Sequence, residues 1–211
     1  NVKGLEFLTA PKQSVGAMAK DQLVRRGTMV LYHYRPLTDE VYRLPLLLVA
    51  PPSNRGYIFD LAPGQSFVEF LLRRGYDVFL LDWMPPRSEE AGIGLADYVL
   101  DFIPDAIARI AAITGESQLN LAGYCMSGTL TTAYTALNPG GPVSNLLCFT
   151  TPIDFSRMQL FRVWADRNHF DIDRLVETLG IVPPDLILGA FDLMRPANRT
   201  AGVLNLWTNM W

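Results

Sequence analysis

An α/β fold, a mostly parallel sheet wound with helices on both faces, is predicted by three observations. Short, almost uninterrupted apolar runs are the mark of strands buried on both faces. They alternate with longer stretches of helical periodicity. Proline or glycine punctuates nearly every junction.

The elements follow in order. TMVLYHY (28–34) mixes β-branched and aromatic residues and reads as a strand. RLPLLLVAPP (43–52) is an apolar run stopped by two prolines, a second strand. In GQSFVEFLLRRG (64–75), Ser66 can cap a helix, Phe67, Phe70 and Leu71 recur on one side, and Gly75 can end it. YDVFLLDW (76–83) is a buried strand closed by Pro85 and Pro86. LADYVLDFIPDAIARIAAITG (95–115) is helical, with a kink expected at Pro104. SQLNLAG (117–123) returns as a strand, MSGTLTTAYTALN (126–138) as a helix and VSNLLCFTTP (143–152) as a strand. Right-handed crossovers are expected.

After Asp154 the character changes. Residues 155–211 carry Trp164, Trp207, Trp211 and the breaker pair Pro183–Pro184, with helix-like stretches and no convincing strand. The division expected is therefore 1–154 as the sheet-bearing part and 155–211 as the beginning of a helical insertion.

Composition narrows the function. The 211 residues are 49% hydrophobic and 18% charged, ordinary for a globular protein. A net charge of −3 leaves no basic block to neutralise nucleic-acid phosphates. The longest apolar run, Leu44–Ala50, is strand length, so no transmembrane segment and no secretory signal is expected. The chain does not begin with Met and is expected to lie within a longer one. Two cysteines make no disulfide framework, and a reducing cytoplasm is the simplest reading. No G-x-G-x-x-G follows the first strand, which excludes a dinucleotide-binding oxidoreductase. No metal site is expected.

The chemistry centres on LNLAGYCMSGTL, residues 119–130. A strand entering a tight turn that at once begins a helix is the setting of a nucleophile elbow, and here it presents Cys125. Gly123 and Gly128 keep strand and helix from colliding. The turn places the sulfur at a helix N-terminus, where partial positive charge favours an anion. The Met126 backbone N–H points where an oxyanion would form. A second donor comes from the loop after an earlier strand, Ala50-Pro51-Pro52-Ser53-Asn54-Arg55. The prolines have no N–H, so the donor lies at Ser53 or Asn54, and Ser53 is preferred. Cys148, inside LLCF, is expected to pack in the core.

These residues resemble the polyhydroxyalkanoate synthase family, whose α/β-hydrolase core uses a cysteine in a G-x-C-x-G box. Further motifs carry the resemblance: Tyr57-Ile58-Phe59-Asp60-Leu61, Pro63-Gly64-Gln65-Ser66, Asp82-Trp83 and Thr151-Pro152-Ile153-Asp154-Phe155. It covers residues 10–156 well and the remainder loosely. The Asp-Trp ending is closer to the form that works with a second, non-catalytic subunit. In one respect the pattern differs: the last glycine of the box is Ser127, giving G-Y-C-M-S-G.

The resemblance implies the N-terminal portion of an α/β-hydrolase core followed by the start of a helical cap. It implies an acyltransferase that polymerises 3-hydroxyacyl-CoA into polyester with release of coenzyme A through an acyl group on Cys125. Coenzyme A thioester is then substrate, and no cofactor is required. The partners implied are the hydroxyacyl-CoA and the growing chain, with a second synthase subunit or a homodimer as candidate protein partners. The place implied is the cytoplasm, at the surface of polyester granules.

The family's histidine base and orienting aspartate belong to loops after later strands, outside this chain. His33, within a strand, and His169, in ADRNHFDID, are read as structural or solvated. Asp154 is read as structural rather than as the triad acid. The 211 residues alone are therefore expected to be inactive. The rival readings are a cysteine hydrolase on the same core, either a polyester depolymerase or a dienelactone-hydrolase-like enzyme, and a non-catalytic homologue that binds granules or a synthase partner.

Overall fold

The computed structural model describes residues 15–157, 162–163, 166 and 168–194. Two compact units divide between Asp154 and Phe155.

The first unit is built on a six-stranded sheet of order β1-β2-β4-β3-β5-β6. Its strands are β1 (Lys20–Arg26), β2 (Met29–Tyr34), β3 (Leu46–Val49), β4 (Val78–Trp83), β5 (Leu119–Tyr124) and β6 (Val143–Phe149). β3 pairs in parallel with both β4 and β5, and β5 with β6, whereas β1, β2 and β4 run antiparallel in turn. The sheet is thus α/β and mostly parallel around its centre, as the alternating elements predict. β3 and β4 lie inside the sheet, and every residue of both is buried. That double coverage is why LLLV and VFLLDW read as continuous apolar runs.

β1 was not expected from the sequence. KDQLVRR carries four charges and only two large aliphatics, because an edge strand needs one packed face and benefits from charge on its free side. A register shift between Gln22 and Val24 bends it further.

The helices are α1 (Phe67–Leu72), α2 (Ile103–Thr114) and α3 (Met126–Leu137). Ser66 caps α1 as expected: its hydroxyl accepts the Glu69 N–H at 3.0 Å. The stretch predicted as one helix from Leu95 to Gly115 is interrupted. A turn of α-helix (Leu95–Asp97) passes into a π turn (Tyr98–Phe102), and α2 then starts with Pro104 in its first turn. Proline cannot donate to the preceding turn, and the wider π spacing, with the Ile103 N–H on the Tyr98 carbonyl, absorbs the break. Gly115, at φ 75°, closes α2 in the left-handed region.

One expectation about the core fails. Cys148 is exposed rather than packed. β6 ends the described sheet and pairs only with β5, so its faces lack the double cover enjoyed by β3 and β4. On the α1 side, Leu46, Leu48 and Ala122 border an open hollow of about 530 Å³ together with Leu147 and Phe149 of β6.

In the second unit, α4 (Ile172–Leu179) is capped by Asp171, whose carboxylate accepts the Arg174 N–H at 2.9 Å. Pro184 begins α5 (Pro184–Met194), at the position where a missing N–H costs nothing. Apolar side chains of the two helices, among them Ile172, Val176, Leu186 and Leu193, surround a hollow of about 630 Å³. Trp164, Trp207, Trp211 and the first fourteen residues lie outside the described residues. Among those described, no helix is long and apolar enough to cross a membrane.

Candidate active site

β5 delivers the chain to Cys125 and α3 carries it away. Cys125 sits at φ 55°, ψ −125°, a combination that residues with a Cβ rarely adopt and that costs of order 1–3 kcal/mol. Among the described residues only Thr150 shares a positive φ without being glycine, and it follows β6, next to β5 in the sheet. The bend is over-determined by its surroundings. The Cys125 N–H donates to the Phe149 carbonyl at 2.8 Å, and the Cys125 carbonyl accepts the Gly128 N–H at 2.9 Å. The thiol itself is half-buried, at neither a mid-strand nor a mid-helix position.

Close approach explains the two glycines. A Cβ on Gly123 would lie 2.5 Å from the Thr131 hydroxyl and 2.6 Å from the Gly128 Cα. A Cβ on Gly128 would collide with the Thr151 hydroxyl and fall 2.7 Å from the Thr151 Cβ. Strand, helix and the Thr-Pro segment therefore meet at van der Waals limits around the turn. Thr129 reinforces this by donating to the Pro152 carbonyl at 2.7 Å.

Ser127 resolves the departure from the G-x-C-x-G pattern. It is fully buried, yet a hydroxymethyl fits because its hydroxyl donates to the Ala50 carbonyl. The tight contact with the neighbouring segment falls instead on Gly128.

The loop from Ala50 to Gly56 is held at both ends. The Ala50 N–H donates to Leu81 at 2.9 Å, and its carbonyl also accepts the Trp83 indole N–H at 2.5 Å. At the far end the Gly56 N–H donates to the Asp82 carboxylate at 2.8 Å, which also accepts the Trp83 N–H at 2.8 Å. Arg55 donates to the Trp83 carbonyl at 3.2 Å. Within the loop the Asn54 N–H is turned to the Pro51 carbonyl at 3.0 Å. Pro51 and Pro52 carry none, so of the two candidate donors Ser53, which is exposed, keeps an amide not committed to that turn. Burial pushes the Asp82 carboxyl above the ordinary carboxylate value, against the pull of its two backbone donors and Arg55.

The remaining motifs build this frame. Asp60, buried, accepts the Ser66 hydroxyl at 2.7 Å and the Met18 N–H at 2.9 Å, so the Tyr-x-x-Asp-Leu and Pro-Gly-x-Ser stretches lock to each other at the start of α1. Gly64, at φ 75°, gives the turn between them a conformation only glycine adopts freely.

His33 does not join Cys125. His33 lies in β2 with Nε2 2.6 Å from the Asp77 carboxylate and its ring stacked on Phe79 at 4.1 Å. β2 stands three strand positions from β5 in the sheet, roughly 14 Å. His169, exposed in the second unit, pairs with Asp166 at 3.2 Å. The backbone N–H of Asn168 and the His169 ring together hold the Asp166 carboxyl below its usual range. Both are the local roles expected of them. Asp154 is exposed and immediately precedes the 3₁₀ turn Phe155–Arg157. Among the described residues no cluster of His, Cys, Asp and Glu could hold a metal. Two site features escaped the sequence reading: the Ser127 link to Ala50, and Asp82 as the anchor of the loop's far end. The Asp-Trp motif was the available signal for the second.

A cysteine on a strained strand–helix turn, beside a loop braced at both ends, defines a class. The chain belongs to the α/β-hydrolase fold family, whose model matches residues 59–187. Within that fold, residues 13–71 match the model of the poly-beta-hydroxybutyrate polymerase N-terminus, and the resemblance read from the motifs is borne out. The chain is 32% identical over 202 residues to the poly(3-hydroxyalkanoate) polymerase subunit PhaC of Allochromatium vinosum, covering 94% of this chain and 56% of that protein. It is 32% identical over 192 residues to the subunit of the same name from Haloferax mediterranei, covering 90% and 39%. A third relative of that name, from Cupriavidus necator, is 33% identical over 166 residues, covering 77% and 28%. The chain thus spans about half the length of these relatives or less. Among solved structures, a candidate lipase from Sulfolobus solfataricus superposes with a TM-score of 0.55 at 15% identity, covering 87% of this chain and 62% of its own. That likeness concerns the fold.

Proposed function

We propose that this chain supplies the nucleophile and the oxyanion hole of an acyltransferase that joins 3-hydroxyacyl groups, delivered as coenzyme A thioesters, into a polyester. The observation that carries the reading is the placement of Cys125. It occupies a strained bend between β5 and α3, among motifs that resemble those of the polyhydroxyalkanoate synthases, in a chain 32% identical to a poly(3-hydroxyalkanoate) polymerase subunit.

In the proposed cycle the Cys125 sulfur attacks the thioester carbonyl, and the carbonyl π electrons move onto oxygen. Backbone N–H groups of Met126 and Ser53 receive that oxyanion; losing one such donor typically costs ~3 kcal/mol in the barrier. Collapse expels coenzyme A, which takes up the proton that a general base removed from the Cys125 thiol, and leaves the acyl group on Cys125. Exchange of one thioester for another keeps the intermediate near the substrate in energy, whereas a serine ester would be more stable and slower to give up its acyl group. A hydroxyl of a second acyl unit or of the growing chain then attacks, losing its proton to a general base. The new ester forms and the Cys125 sulfur departs, taking up the proton from that base. The base is assigned to a histidine of the longer protein, as the family resemblance implies, rather than to His33 or His169. The same resemblance supports action in the cytoplasm at a granule surface, with a second synthase subunit as partner.

The test is product analysis on the intact gene product supplied with 3-hydroxyacyl-CoA. Coenzyme A release matched by polyester is expected. Coenzyme A release matched by free hydroxyacid identifies a hydrolase instead, and no release identifies a non-catalytic homologue.

A further inference from the structure

The Ala50 carbonyl is the junction of the site. It follows β3 directly, at the start of the loop that carries the Ser53 amide, and it accepts two donors from two different elements. The Trp83 indole N–H comes from the end of β4. The Ser127 hydroxyl comes from the first turn of α3, one residue beyond Met126. Ser127 is fully buried and so is Ala50, so water does not compete for this bond. The other glycine-like positions around the bend are accounted for by steric limits at Gly123 and Gly128. Ser127 alone contributes a directional polar link, at the one place where the sequence departs from the box pattern.

From this geometry we propose that Ser127 is a positioning residue for acyl transfer. Its hydroxyl ties the helix bearing the Met126 donor to the start of the loop bearing the Ser53 donor, and so sets the separation of the two halves of the oxyanion hole. The proposal rests on the acyltransferase reading above and adds to it the device that aligns the two donors. Displacements of about 1 Å in such constellations cost on the order of a hundredfold in rate. A glycine at the same position would leave the Ala50 carbonyl to Trp83 alone.

The test separates oxyanion stabilisation from the intrinsic reactivity of the thiol. In the intact gene product, Ser127→Ala and Ser127→Gly are compared with the parent in two reactions at Cys125. One is acylation by a 3-hydroxyacyl-CoA, followed by mass analysis. The other is alkylation by iodoacetamide, which develops no oxyanion. Acylation is expected to slow by about tenfold or more in both variants, while alkylation stays within about twofold of the parent. Thermal unfolding identifies any variant that fails to fold, and the other then stands for both. Unchanged acylation overturns the proposal, and so does a parallel fall in acylation and alkylation, which would mean only a loosened turn. A parent protein that is not acylated at Cys125 at all overturns the acyltransferase reading, and the proposal with it.

Discussion

Asp82 shows how one carboxylate can serve the site at a cost that pH reveals. It receives the N–H groups of Gly56 and Trp83, which fix the far end of the Ala50–Gly56 loop, yet burial raises its proton affinity in the folded state. A carboxyl whose folded pKa lies above its unfolded value, 3.8, stabilises the fold most when protonated. That contribution is complete below 3.8 and is lost as pH rises through the folded value. Asp82→Asn keeps an acceptor for the two amides and removes the ionisation. The stability of the parent relative to this variant should fall as pH rises from about 4, by denaturant titration at a series of pH values. A difference that is flat in pH would show that Asp82 is not held high by burial. The sequence offered Asp82 only as part of an Asp-Trp motif. Its anchoring role depends on Gly56, far along the chain, arriving within 2.8 Å. Ser127 was likewise visible as an odd residue in a box, but the Ala50 carbonyl that makes sense of it comes from 77 residues upstream. Cys125 needed no such partner: a strand ending in Gly123-Tyr124, the cysteine and a helix are contiguous, so its setting was legible.

At the scale of elements, the buried strands β3 and β4 were readable because burial on both faces imposes continuous apolar runs. β1 was not, because its composition answers to solvent on its outer side. Cys148 was misread for a related reason: LLCF looks like a central strand, and nothing local announces that β6 ends the described sheet. The junction of β5, α3 and the Thr-Pro segment depends on Gly128 having no side chain. Gly128→Ala would force its Cβ against Thr151, and overpacking of this kind typically costs about 1–3 kcal/mol. Gly92→Ala, in open space, is the control and should change stability little. Thermal or denaturant unfolding of the two variants checks this; equal effects would mean that the junction yields more easily than its contacts imply.

Across the whole molecule, order should decline from the sheet centre outward. β3 and β4 are buried throughout, while β1 and β6 have exposed residues along most of their length. Amide hydrogen exchange is therefore expected to be slowest in β3 and β4 and faster in both outer strands. The strained bend at Cys125 sits one strand in from β6, fastened by the Cys125–Phe149 hydrogen bond, so the site lies between the rigid centre and the open edge. Its bracing comes from the β3 and β4 side, through Ala50, Trp83 and Asp82. The function proposed for the protein depends on the acyl group residing on that one sulfur. The most direct measurement is peptide mass mapping of the intact gene product after brief exposure to a 3-hydroxyacyl-CoA. A hydroxyacyl adduct on the Cys125 peptide, absent in Cys125→Ala, is expected. An adduct on Cys148 or another residue, or one that persists in Cys125→Ala, would contradict it.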